Sequence, residues 1–130
     1  VYRAPSFLLR TLDEATGETL ESALLPAARQ VFSASTAQRL QKLLAGVVAE
    51  GTGREAAPLY GDAAGKTGTA QTGQFTASGE EKMNLWFAGF CPAGDPQYTV
   101  VVLQDGQTQP AHSSAAVFAQ VCEALWLLEQ

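Results

Sequence analysis

The stretch from Asn84 to Gln104 constrains this chain more than any other. Asn84 to Cys91 carries apolar residues on both alternating faces, with Leu85, Phe87 and Cys91 set against Trp86, Ala88 and Phe90. A strand that is apolar on both sides belongs in the middle of a sheet with cover on each face, not at an edge. Pro92-Ala93-Gly94-Asp95-Pro96 has the residues of a turn. Tyr98 to Gln104 follows as a second, β-branched strand of much the same character. Further elements must be laid against this pair.

One such element is a helix running to the C-terminus. Ser113 or Ser114 can cap it, and Val117, Phe118, Val121, Cys122, Leu125 and Leu128 form its apolar face. Upstream, Ser35 with Gln38 makes a capping-box pattern, and Leu40, Leu43, Leu44, Val47 and Val48 recur at helical spacing. This predicts a helix from Thr36 to Glu50, with Gly51 as a left-handed C-terminal cap and Gly53 close behind. Ser6 to Leu12 reads as a strand. The turn residues Asp13 to Gly17 and an extended stretch from Glu18 complete a hairpin in which Gly17 takes positive φ. The polar segment from Thr72 to Lys82 lacks periodicity and is expected to be a mobile loop. The expected fold class is therefore α+β. It comprises a three-stranded antiparallel sheet with the C-terminal helix packed on it, plus an N-terminal hairpin and helix. The expected divisions are residues 1–34 for the hairpin region, 35–51 for the helix, and 65–130 for the sheet and C-terminal helix.

A chain of 130 residues can bury a real core. Its low charged fraction of 16% suggests that part of its surface rests against other protein. With 8 basic against 13 acidic residues and a net charge of -5, it has no basic patch to displace counterions from phosphates, which argues against nucleic acid as a partner. The same balance gives no attraction to an anionic membrane surface. Cys91 and Cys122 have no Cys-x-x-Cys spacing and, with the lone His112, cannot complete a metal site; buried free thiols are expected. No apolar run is long enough to span a bilayer. A first residue of Val1 with strand-like sequence almost at once is what an engineered boundary or a cleaved product looks like.

The chemistry concentrates at Lys66-Thr67-Gly68-Thr69-Ala70. A phosphate-binding loop would need four residues between its first glycine and Gly65-Lys66-Thr67, but Tyr60 holds the required position and Gly61 lies one residue too close. Read as a strand, the segment places Thr67 and Thr69 on one face and Lys66 and Gly68 on the other. Two hydroxyls can grip a carboxylate, and Gly68 leaves room for a substrate to lie along the strand. An unpaired amide on that edge can donate to a developing oxyanion.

The ordered set Glu50-Gly51-Thr52-Gly53, Gly65-Lys66-Thr67-Gly68-Thr69-Ala70-Gln71 and Trp86-Phe87-Ala88-Gly89-Phe90 resembles class B penicillin-binding proteins. The resemblance extends to Tyr98-Thr99-Val100-Val101-Val102 and to the opening Tyr2-Arg3-Ala4-Pro5, and so covers nearly the whole chain. It implies the C-terminal portion of a β-lactamase/transpeptidase-like fold. The parent enzyme would be a serine-type D,D-transpeptidase that crosslinks peptidoglycan stem peptides, held outside the cytoplasm by a membrane anchor. By this resemblance Lys66 orients the active-site hydrogen bonds and attracts the substrate carboxylate. Thr67 and Thr69 hydrogen-bond that carboxylate in a stem peptide or a β-lactam, and the backbone N–H of Thr69 is one oxyanion donor. No metal or organic cofactor is implied. Trp86 and Phe90 are expected to be core residues.

The family's nucleophile lies in a Ser-x-x-Lys motif, and no serine here has a lysine three residues later; Ser-x-Asn is absent too. His112 beside Ser113 is expected to be a loop residue, since adjacent residues seldom face each other in hydrogen-bonding geometry. The chain alone is thus expected to be inactive and to partner the remainder of a transpeptidase domain. Without the upstream strands of that domain it is expected to self-associate through an uncovered edge or face. The competing readings are a stand-alone module that binds a peptide or partner without catalysis, and a serine β-lactamase fragment.

Overall fold

The computed structural model describes residues 2–5, 8–22, 24 and 26–128, which form two compact units, Val1–Ala37 and Gln38–Gln130. The first contains a short hairpin of β1 (Arg10–Leu12) and β2 (Thr19–Ser22), paired antiparallel with a bulge between Thr11 and Leu12. Ser6 and Phe7, the start of the expected first strand, lie outside the described residues. The turn is built on Asp13. Its carboxylate accepts from the amides of Ala15 and Thr16, at 2.9 and 2.7 Å, and from the Thr16 hydroxyl at 3.0 Å. Gly17 takes φ 72°, the left-handed value that the hairpin requires. Nearby, Tyr2 and Arg29 exchange backbone hydrogen bonds at 2.6 and 2.8 Å, and the Arg29 guanidinium lies 5.6 Å from the centre of the Tyr2 ring.

Helix α1 spans Ala34–Ala49. Its cap is Ser33, not Ser35: the Thr36 amide donates to Ser33 Oγ at 3.1 Å and the Ala37 amide to Ser33 O at 3.1 Å. Of the predicted apolar stripe, Val48 is buried, Leu44 and Val47 are half-buried, and Leu40 and Leu43 are exposed. Gly51 is not left-handed as expected. It is needed for want of a side chain, because a Cβ there would stand 2.9 Å from both Cα and O of Val47.

The second unit is built on a three-stranded antiparallel sheet of order β3-β4-β5, with β3 at Ala64–Phe75, β4 at Glu81–Cys91 and β5 at Tyr98–Gln107. The predicted α+β arrangement is thus present, with β4 in the central place that its two-sided pattern required. Helix α2 (Ser114–Leu128) lies against the face that carries Phe87, Cys91, Val100 and Val102. Phe87 and Phe118 are fully buried, their rings tilted by 51° with centroids 4.7 Å apart. Ser113 is the cap of α2, accepting from the Ala116 amide at 3.1 Å. Ser114 instead turns into the sheet and donates to Leu85 O, lying also 3.0 Å from Gln104 Oε1.

Two expectations are corrected in this sheet. The segment from Thr72 to Lys82 is mostly hairpin, and only Thr76 to Glu80 forms the loop. Polar cross-strand bonds hold it in place of apolar contacts: Gln71 Nε2 donates to Glu81 Oε2 at 2.9 Å, and Thr72 Oγ1 to Lys82 O at 2.5 Å. Gly73 at φ 69° absorbs the bulge between Gln71 and Phe75. Trp86 is likewise not a core residue of the described structure. It is 38% exposed, on the face away from α2, where Trp86 and Ala88 pair in register with Leu103 and Val101.

Two measurements follow. Phe118→Ala is expected to destabilise the sheet-and-helix unit by about 3–5 kcal/mol, read from urea unfolding; a loss under 1 kcal/mol would show that the ring is not what fastens α2 to the sheet. The three hydrogen bonds to Asp13, led by those from Thr16, hold its carboxyl below the ordinary aspartate pKa. The turn therefore keeps their stabilisation above the unfolded-state pKa and loses it as pH falls through the depressed folded value. An NMR titration should place the Asp13 midpoint below that of a random-coil aspartate, and Thr16→Ala should move it back up.

Candidate functional site

Strand β3 is an outer strand, paired on one side with β4 in a register that sets Lys66 opposite Ala88, Thr67 opposite Phe87, Gly68 opposite Trp86 and Thr69 opposite Leu85. Directly opposed residues share a face. Thr67 and Thr69 therefore stand on the α2 side, and Lys66 and Gly68 on the Trp86 side, as strand alternation predicts. Burial falls along the strand: Ala64 and Gly65 are buried, Thr67 and Gly68 half-buried, Lys66 and Thr69 exposed. One end of the motif is thus anchored in the core while the other meets solvent.

Gly65 is part of the anchor. A Cβ on it would lie 2.5 Å from the Phe87 ring and 2.7 Å from Ala88 O, so no larger residue fits without displacing β4. A Cβ on Gly68 would come 3.3 Å from Trp86 Cβ, which is tight but not prohibitive.

Lys66 departs from simple alternation at its tip. Its Cβ belongs to the Trp86 face, yet Nζ donates to Thr67 O at 3.0 Å and to Thr67 Oγ1 at 2.9 Å. The flexible four-carbon stem carries the charge around the strand's open edge to the hydroxyl face. The carbonyl of Thr67 therefore points to that open edge. In an antiparallel strand a residue's N–H and C=O point the same way, and direction alternates along the chain. The N–H of Thr69 accordingly aims at the same edge.

The hydroxyl face and the adjoining backbone of β3 border a cleft of about 380 Å³ lined by Thr52, Thr67, Gly68, Thr69, Leu85 and Trp86, and closed beyond by Ala111 and by Ser113 to Ala115. Glu55 on its wall accepts a hydrogen bond from the Ser113 hydroxyl. Thr52 Oγ1 lies 3.1 Å from Thr67 Oγ1. The site thus assembles one fixed cation, two strand hydroxyls and an edge amide, a set suited to a carboxylate and a neighbouring oxyanion. Sequence reasoning singled out Lys66, Thr67, Gly68 and Thr69 but gave Thr52 no role. Its signal was the Gly51-Thr52-Gly53 tripeptide, a polar residue between two glycines immediately after a helix.

The remaining candidates fall away from this cleft. His112 is an exposed bend residue whose carbonyl accepts from Gln104 Nε2 at 2.9 Å. Cys91 and Cys122 are buried and unbridged. Burial, then hydrogen bonding to Cys91, raises the Cys122 thiol far above its ordinary pKa and leaves it inert. Among the described residues no group of histidine, cysteine or carboxylate side chains could hold a metal ion.

Comparison with known proteins identifies the family. Residues 1–123 match the family model of the penicillin-binding protein transpeptidase domain. The chain is 38% identical to stage V sporulation protein D of Bacillus subtilis over 94 residues, 72% of this chain and 15% of that protein. It is 33% identical to the penicillin-binding protein PbpB of Mycolicibacterium smegmatis over 119 residues, 81% of this chain and 18% of that protein. The solved structure of penicillin-binding protein 3 from Mycobacterium tuberculosis, complexed with ampicillin, superposes with a TM-score of 0.67 at 32% identity. It covers 87% of this chain and 28% of that one. The chain thus spans less than a fifth of the curated relatives it matches. The resemblance to class B penicillin-binding proteins drawn from the ordered motifs is borne out, and the chain belongs to the penicillin-binding protein transpeptidase family.

Proposed function

We propose that this chain supplies the substrate-binding wall of a peptidoglycan D,D-transpeptidase active site, with the acylating serine contributed by a Ser-x-x-Lys segment that its sequence does not contain. The observation that carries this reading is the Lys66 ammonium drawn to the Thr67 hydroxyl at the open edge of β3, on the cleft that Thr69 shares. Lys66 attracts the C-terminal carboxylate of a stem peptide or the ring carboxylate of a β-lactam, and Thr67 and Thr69 donate hydroxyl hydrogen bonds to it. The substrate lies along β3 as an added strand. The N–H of Thr69 then faces the scissile carbonyl and stabilises the oxyanion formed when the serine attacks. Collapse of that tetrahedral adduct breaks the bond to D-alanine and leaves the acyl-enzyme; an amine from a second stem peptide then attacks the acyl carbonyl, forming the new amide and releasing the serine.

The reaction belongs outside the cytoplasm, where peptidoglycan is built. Among the described residues no helix is long and apolar enough to cross a membrane, and in this reading anchoring falls to another part of the parent protein. The remainder of the transpeptidase domain is the natural partner of the sheet face that bears Trp86, Val101 and Leu103, 38%, 58% and 43% exposed. Isolated from it, the chain self-associates through that face.

A fluorescent penicillin is expected to leave no covalent label on the isolated chain and to label the protein in which the chain is joined to its Ser-x-x-Lys portion. In that protein Lys66→Ala should lower the second-order acylation constant roughly 10- to 100-fold, the worth of a lost charge-assisted hydrogen bond. Labelling of the isolated chain, or unchanged acylation in Lys66→Ala, would contradict the assignment. Light scattering of the isolated chain should show association that grows with concentration; a clean monomer at high concentration would remove the self-association reading.

A further inference from the structure

Thr52 touches the site, yet none of the roles above uses it. Its loop is held firmly on both sides. The Gly51 amide donates to the carbonyls of Gly46 and Val47, and the Gly53 amide to Val47 O at 3.0 Å. Gly53 is buried so tightly that a Cβ there would stand 3.0 Å from a Val47 methyl and 3.1 Å from the Phe87 ring. The same core ring that backs Gly65 in β3 therefore also backs the residue beside Thr52. The separation of 3.1 Å between the Thr52 and Thr67 hydroxyl oxygens is set by this shared support.

Counting protons and lone pairs at Thr67 Oγ1 gives the consequence. The hydroxyl has one proton and two lone pairs, and an ammonium can only donate. Lys66 Nζ fills one lone pair at 2.9 Å. If Thr52 fills the other, the only group Thr67 has left is its proton, and that proton is free for an anionic ligand. We propose that Thr52 is a positioning residue for the carboxylate site, its hydroxyl donating to Thr67 Oγ1 so that the Thr67 proton is directed at the ligand. The resulting relay, Thr52 hydroxyl to Thr67 hydroxyl to carboxylate, runs in one direction. Each bond polarises the next, and the Lys66 charge sharpens the acidity of the central hydroxyl. Thr52 acts before any bond is broken, so its effect falls on binding and not on the chemical step.

This inference rests on the reading of β3 as a carboxylate-binding wall, and the test separates the two. In the protein carrying both this chain and its Ser-x-x-Lys portion, the dissociation constant and the acylation rate constant are measured for a penicillin and for its methyl ester. Thr52→Val should weaken penicillin binding roughly 3- to 10-fold, the range for one neutral hydrogen bond. It should leave ester binding and the acylation rate constant unchanged within about twofold. Thr52→Ser keeps the hydroxyl and should restore penicillin binding. In a Thr67→Val background, Thr52→Val should have no further effect, because the group it acts through is gone. Equal losses for penicillin and ester, or a further loss in the Thr67→Val background, would make Thr52 merely structural and overturn the proposal. Wild-type behaviour of Thr52→Val with the carboxylate preference intact overturns this proposal alone. Absence of any preference for the acid over the ester in the unmutated protein overturns the carboxylate wall as well.

Discussion

The contact between Phe87 and Phe118 is the constraint on which the rest of the second unit depends. Both rings are fully buried, and each occupies space that a neighbouring glycine leaves open. Gly65 on β3 makes room for Phe87, and Gly89 on β4 makes room for Phe118, whose ring atoms would lie 2.9 and 3.0 Å from a Cβ at that position. Packing at this density does not tolerate added volume without backbone movement. The aromatic pair therefore fixes the height of α2 above the sheet and the seating of β3 beside β4 in a single contact.

The polar open edge of β3 inherits its position from that contact. Lys66 and Thr67 follow Gly65 directly, so the first polar residues of the motif begin where the core ends. Gly53, pressed on the other side of the same Phe87 ring, delivers Thr52 to the neighbourhood of Thr67. Segments fifteen residues apart in sequence thus meet with little freedom, a degree of preorganisation that polar recognition requires when the ligand must displace water.

Much of this was legible in the sequence, for identifiable reasons. The two-sided apolar run of β4 and the β-branched run of β5 report burial directly, and Lys66-Thr67-Gly68-Thr69 carries its chemistry in its composition. What the sequence concealed has physical causes as well. The hairpin between Gln71 and Glu81 is tied by polar side chains, which leave no hydrophobic periodicity to read. Ser33 and Ser35 are equally good caps in composition, and only the geometry of the first turn selects Ser33. Alternation fixes where the Lys66 Cβ points but not where a four-carbon stem can carry its charge. Trp86 reads as core because its face is apolar, whereas among the described residues that face has no layer upon it.

In the proposed reading of β3 as a substrate-binding wall, the open edge of the strand acts as a ruler. Backbone groups along β3 repeat in direction every second residue, at about 3.4 Å per residue. A peptide seated one residue out of step would present its carbonyl to a position without a donor and turn its side chains to the wrong face. Partial errors are therefore unavailable: a ligand is in step or it misses both the charge and the amide together. Discrimination between chain ends of different length then resides in backbone spacing, which no single side-chain substitution in the wall can rescale.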